Sequence, residues 1–285
     1  MSRDFLMLGL SGSGKTTFLA ALNWALQRPS EGARLRSSGL ADATEYINDR
    51  TGEWLKCQVV LKTPTGVHAD VSLPVETLSG DQARLRCPDL SGEEFRDHWE
   101  SRQWSIERDR EVRKADGLVL FVSALHSYLP VSLAQESQMV GGTPSESEGN
   151  VKPASAWLPE YSCLQVQVVE LLQFIRHRRR DQPLPVAVVV SAWDRTQGSY
   201  ESADQWLAKE APLLWQVLQT NMAVFPFQAY GVSAQGGEYD TDTDQLLKAG
   251  PTSRITVVHT ENGSPDTDSD LSRPLAWLLL RESAR

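Results

Sequence analysis

Gly9, Gly12 and Gly14 fall within six positions, and Lys15-Thr16 follow at once: G-L-S-G-S-G-K-T, the pattern G-x-x-x-x-G-K-[ST]. This pattern builds an anion site when it lies between a strand and a helix. Backbone N–H groups of Gly12–Lys15 then point into one concavity, and the helix N-terminus adds partial positive charge there. Glycine is required because a Cβ would block the turn or the approach of a phosphate. Lys15 would bridge β- and γ-phosphates, and the Thr16 hydroxyl would ligate Mg²⁺. The expected cradle is thus Gly9, Ser11, Gly12, Ser13 and Gly14, continued by Lys15, Thr16 and Thr17.

Three further stretches carry chemistry that matches a bound nucleotide. In Asp89-Leu-Ser-Gly92-Glu93, a carboxylate can hold Mg²⁺ through its water shell, and Gly92 lets a backbone N–H meet the γ-phosphate. In Ser191-Ala-Trp-Asp194, an aspartate at a strand end can accept hydrogen bonds from guanine N1–H and its 2-amino group, or serve simply as a cap or turn residue. In Val232-Ser-Ala-Gln235, backbone N–H groups around Ser233 and Ala234 can meet the base oxygen.

These stretches need a frame. Asp4–Leu10, Ala83–Cys87, Gly117–Ser123, Val186–Ser191 and Phe225–Val232 read as strands, with weaker candidates at Val59–Leu61 and Ala69–Leu73. Gly117–Ser123 and Val186–Ser191 are near-continuous apolar runs, as strands covered on both faces require. Lys15–Gln27 and the region Leu164–Ile175 repeat apolar residues at helical spacing. Strands alternating with helices predict an α/β fold: one domain over 1–285, with a mostly parallel central sheet and helices on both faces. Two segments break the alternation. Residues 125–161 include the polar VGGTPSESEGNVKPAS and are expected to form a flexible insertion. Residues 238–270 read as a second, acidic insertion around a strand at Arg254–His259.

Composition limits the alternatives. The chain has 285 residues, 40% hydrophobic and 23% charged, with a net charge of −9 and nine tryptophans, which excludes wholesale disorder and disfavours a nucleic-acid surface. Three scattered cysteines fit a reducing compartment. A strand at the very start leaves no room for a signal peptide, and no apolar run approaches ~18 residues. A cytoplasmic protein away from membranes is expected. The histidines show no metal spacing, and HRRR at 177–180 reads as a solvated helix end.

The order G-x4-GKT, D-x-x-G, SAWD, SAQ, each at a strand end, resembles the Ras-like P-loop GTPases of the translation-factor-related class. GLSGSGKTTFLAALNWAL, PDLSGEEF, VSAWD, VSAQGG and DLSRPLAWLL are most similar to the bacterial double-GTPase family, switch components of multi-gene immunity or conflict systems. The resemblance implies GTP/GDP and Mg²⁺ as cofactors, with Lys15, Gly92 and Glu93 in catalysis. It implies Thr16 and Asp89 on the metal, and Asp194 on guanine. It also implies co-encoded protein partners, an effector or a regulator.

The chain departs from that class in three ways. Ser191 and Ala192 replace the first two residues of N/T-K-x-D, removing the lysine stem that packs on the base, although Trp193 can offer an apolar surface. Glu93 stands where a water-orienting glutamine is usual, which points to slow or partner-activated hydrolysis, or to a nucleotide-bound scaffold that does not hydrolyse. No switch threonine stands out among Thr44, Thr51, Thr63 and Thr65. Arg96 is a surface charge or an arginine acting in cis. A P-loop kinase or ATPase is a further alternative.

Overall fold

A computed structural model describes residues 2–59, 70–88, 98–129, 162–261 and 263–281. It contains one sheet of nine strands: β1 Arg3–Gly9, β2 Leu35–Ser37, β3 Val71–Thr77, β4 Gln82–Cys87, β5 Gly117–Ser123, β6 Val186–Ser191, β7 Phe227–Ser233, β8 Thr256–Glu261 and β9 Ser264–Asp268. Their order is β2-β3-β4-β1-β5-β6-β7-β8-β9. The middle five, β4 to β7 in that order, pair in parallel, while β2-β3-β4 and β7-β8-β9 pair antiparallel at the flanks.

Alternation along the central strands divides the core. Phe5, Met7, Val119, Phe121, Ala187 and Val189 face one cluster, while Leu6, Leu8, Leu118, Leu120, Val122 and Val188 face the other. Each of these fully buried side chains larger than Ala187 contributes about 1.5–3 kcal/mol. The first face is covered by α1 (Lys15–Gln27) and by α8 (Arg273–Leu280); α2 (Thr44–Leu55) joins the same cluster through Ile47 and Trp54. The second face carries α3 (Ile106–Lys114), α4 (Leu164–Arg179), α5 (Ala203–Glu210) and α6 (Pro212–Thr220). Local caps fix where helices begin: Ser105 Oγ accepts from Arg108 N at 3.1 Å, and Ser202 Oγ from Gln205 N at 3.3 Å.

The expected strands and helices are present, with shifted ends. The weak candidate at Ala69–Leu73 starts at Val71 and runs on to Thr77, and the last parallel strand starts after Pro226. Val59 is exposed and in no strand, and the rest of Val59–Leu61 lies outside the described residues, as do Thr63, Thr65, Asp89, Gly92, Glu93, Arg96 and 130–161. The 238–270 segment is regular where described. It forms α7 (Tyr239–Ala249), a 3₁₀ turn Thr252–Arg254, then β8 and β9, which continue the main sheet. Its acidic run Asp240, Asp242 occupies the first turn of α7, where the helix dipole favours it.

HRRR ends α4 with His177 and Arg180 exposed, as expected, but Arg179 departs from a solvated helix end. Arg179 is 8% exposed and donates to the carbonyls of Val112, Arg113, Ala115 and Pro183. Among the described residues no helix is long and apolar enough to cross a membrane.

Candidate nucleotide site

The strand–loop–helix join is built as the spacing requires. β1 ends at Gly9 and α1 begins at Lys15, with Gly14 at its N-cap in a left-handed conformation, φ 86°. Gly12 is also left-handed, at φ 74°. A Cβ on Gly14 would lie 2.9 Å from Ser191 Oγ, and one on Gly9 would lie 2.7 Å from both Phe121 Cβ and Ser13 Oγ. These glycines are therefore dictated by both backbone and space.

Lys15 is 4% exposed, and its ammonium curls into the loop, donating to Gly9 O at 2.6 Å and Leu10 O at 3.0 Å. A buried ammonium held by loop carbonyls is a cation stored where an anion can take it over. Thr16 and Thr17 are half-buried on the first turn of α1. Ser13 is turned inward, 1% exposed, and its N–H closes the loop onto Leu10 O at 3.2 Å.

A cavity of about 240 Å³ opens beside this loop, at the carboxyl ends of the parallel strands. Phe18 and Phe121, packed edge to face at 5.1 Å, form part of its wall. From β6, Ser191 Oγ donates to Ser13 O at 2.8 Å, tying the SAWD turn to the phosphate loop. Asp194 lines the cavity in the 3₁₀ turn Trp193–Thr196. Its Oδ1 accepts from Ser233 Oγ at 2.6 Å, and Ser233 Oγ accepts from Gly236 N at 3.0 Å. The carboxylate is thereby aimed by the neighbouring strand's loop. Ala234 joins the lining, and its carbonyl is occupied by Trp54 Nε1 at 2.8 Å.

Trp193 does not join this wall. It is 7% exposed and packs in the second core cluster, its ring so close over β7 that a Cβ on Gly231 would lie 2.3 Å away. Ala192, Arg195 and Glu238 line the cavity instead, with Arg195 Nη1 and Glu238 Oε2 3.4 Å apart. Ser191, Arg195 and Glu238 escape a motif reading because their roles come from tertiary contacts; only Ser191 carried a signal, as the polar residue opening SAWD. His126 also reaches the site, its Cε1 3.3 Å from where a Gly12 Cβ would be. It follows β5 in a turn pinned by Tyr128, whose hydroxyl accepts from Ser123 N at 2.8 Å and whose pKa burial pushes up to about 12.

The structure thus brings Gly12 and Gly14 of the phosphate loop, Asp194 and Ala234 to one cavity, with Ser233 buried behind Asp194. The glycine cradle and Lys15 fit a polyphosphate, and the Asp194–Ser233 pair fits a purine edge carrying N–H donors. Thr16, expected on a metal ion, lies half-buried on the first turn of α1, while its expected partner Asp89, with Gly92 and Glu93, lies outside the described residues.

Residues 6–278 match the family model described as Double-GTPase 1. No curated protein matches the chain. Among solved structures, the chain is similar to one in the signal recognition particle receptor SRb-GTP/SRX complex from Chaetomium thermophilum, with 13% identity and a TM-score of 0.39, covering 81% of this chain and 90% of that one.

Proposed function

The chain belongs to the double-GTPase 1 family, and from that premise we propose that it is a GTP-binding switch that hydrolyses GTP with Mg²⁺ and regulates a multi-protein bacterial defence system through co-encoded partners. The observation that carries the nucleotide reading is the convergence of Gly12 and Gly14 of the phosphate loop with Asp194 on one cavity of about 240 Å³. The defence setting rests on the family resemblance.

Each residue has a task in this reading. The loop N–H groups and Lys15 exchange their internal contacts for β- and γ-phosphate oxygens, a substitution that needs no large rearrangement because the ammonium is already in the loop. Thr16 and Asp89 would hold Mg²⁺, which supplies charge neutralisation on the phosphates. Asp194, aimed by Ser233, accepts from guanine. Glu93 orients the attacking water, and its negative charge near the γ-phosphate keeps turnover slow until a partner adds a cation.

Binding of GTP, GDP and ATP, together with single-turnover hydrolysis, tests the proposal. GTP and GDP should bind ahead of ATP, and Asp194→Asn should cut GTP affinity about tenfold or more while leaving ATP unchanged. An equal loss for both nucleotides overturns the base-reading role. Tight Mg²⁺-dependent binding with no cleavage under any condition would replace the hydrolase with a nucleotide-bound scaffold.

A further inference from the structure

A second cavity, of about 360 Å³, lies toward the opposite end of β7. Gln228 on its wall is roughly 17 Å along the strand from Ser233, at about 3.3 Å per residue. Its wall follows from strand pairing. Tyr230 sits opposite His259, and His259 opposite Asp266, so the three side chains share one face of the antiparallel flank. Gln228 and Glu261, two residues away on their strands, share that face. The end of α8, with Trp277 and Arg281, closes the cavity, and Arg34 enters from the segment before β2.

The charges within it are unequally matched. Arg273 is paired with Asp268, and with Glu261 at 3.5 Å. His259, 2% exposed, has its Nε2 3.4 Å from Glu261 and 3.6 Å from Asp266. The carboxylates at this end are thus taken. The Arg34 guanidinium has neither an ion pair nor a hydrogen bond among the described residues, and Arg281 is held there only over the Trp277 ring, at 4.9 Å. Tyr230 is 2% exposed, yet its hydroxyl borders this cavity and makes no hydrogen bond among the described residues. The hydroxyl can therefore donate to an acceptor that enters the cavity. Burial raises the phenol's pKa, and Arg273 and Arg34 lie close enough to oppose that rise, so the group remains a donor between two cations.

We propose that this cavity binds a phosphate group, held by the guanidiniums of Arg34 and Arg281 and by the Tyr230 hydroxyl, with Arg273 fixed beside them by Asp268. Arginine forks match phosphate oxygens in pairs, and two guanidiniums without counter-ions suit a dianion better than a single carboxylate. The group can come as free phosphate or pyrophosphate, or as the tail of a nucleotide. The site is separate from the Lys15 cavity and independent of its occupant.

Calorimetric titration of the full chain, saturated with Mg²⁺ and GDP, tests it with inorganic phosphate, pyrophosphate and ATP in separate arms. Saturable binding in any arm is expected, weakened about tenfold or more by Arg34→Ala and by Tyr230→Phe with GDP affinity unchanged. Response to phosphate or pyrophosphate assigns the free anion, and response to ATP alone assigns a nucleotide tail; either supports the site. No saturable binding at millimolar ligand overturns it, as does undiminished binding in an Arg34→Ala/Arg281→Ala double variant. Repeating the titration on Lys15→Ala separates the two cavities. Retained phosphate binding there upholds this site even if the nucleotide reading fails, and its loss moves the anion to the first cavity and ends the proposal.

Discussion

Ser233 sets the direction of the Asp194 carboxylate. Its hydroxyl donates to Asp194 and accepts from Gly236 N, so the carboxylate's direction depends on a residue 39 positions away. Ser233→Ala should lower GTP affinity by about 1 kcal/mol, roughly fivefold, because one hydrogen bond is lost while the carboxylate itself remains. ATP affinity should not change, and a competition assay with both nucleotides would show whether the loss is selective. Gly14 is less forgiving. A side chain there meets both a left-handed backbone and the Ser191 hydroxyl, so Gly14→Ala should abolish binding rather than weaken it. The phosphate half of the site was legible because its residues are contiguous and their spacing encodes a loop. The Ser191 tie to Ser13 was not, since no local pattern announces a contact across 178 residues. Trp193 misleads for a related reason: an aromatic beside an aspartate at a strand end looks like a stacking partner until Gly231 opens a slot for it in the core.

At the level of elements, the C-terminus of α4 is the joint that holds α3 to the sheet. Arg179 satisfies carbonyls at the end of α3 and just beyond it, and burial lowers its pKa, with Asp116 opposing. Arg179→Ala leaves those carbonyls without a donor, and should cost about 2–4 kcal/mol of stability, seen as a lower urea midpoint at unchanged slope. The neighbouring Arg178 bonds Asp109, which Arg113 also pairs. The Arg178 hydrogen bond leads in holding the Asp109 carboxyl below its ordinary value, with burial opposing and Arg113 adding. A depressed carboxyl stabilises the fold above its unfolded pKa and loses that contribution as pH falls through the folded one. Asp109→Asn should therefore narrow the stability gap to wild type between neutral and acid pH, measured by denaturation at each. Elements differ in legibility for physical reasons. β5 and β6 are covered on both faces and so declare themselves as apolar runs, and α1 declares its buried stripe. β9, SPDTD, is an exposed edge strand whose acidic residues and proline suit an unpaired edge, and the same residues make it read as a loop.

For the whole molecule, one sheet spans both cavities, and the nucleotide site draws on its middle: Gly9 of β1, Ser191 of β6 and Asp194 and Ala234 just beyond β6 and β7. The loop also reaches the far flank. Trp54 of α2 holds Ala234 O, and Arg254, 2% exposed, stacks on Trp54 at 4.1 Å and donates to its carbonyl at 3.0 Å. Gly236 presses so closely on Arg254 that a Cβ would lie 2.8 Å from its Cα. A ligand at Asp194 therefore bears on α2, on the loop after β7 and on the turn before β8 together. Binding to the folded state alone adds RT ln(1 + [L]/Kd), about 2.7 kcal/mol at a hundredfold excess over Kd. At about 2–4 °C per kcal/mol for a chain near this size, Mg²⁺ with GTP should raise the melting midpoint by roughly 5–11 °C. Lys15→Ala should remove the rise while leaving the ligand-free midpoint within a few degrees, because the ammonium's present partners are loop carbonyls that water can satisfy once the side chain is gone. Thermal scans of both proteins with and without nucleotide measure this directly. A shift that survives the substitution would place the stabilising phosphate contacts somewhere other than residues 9–16.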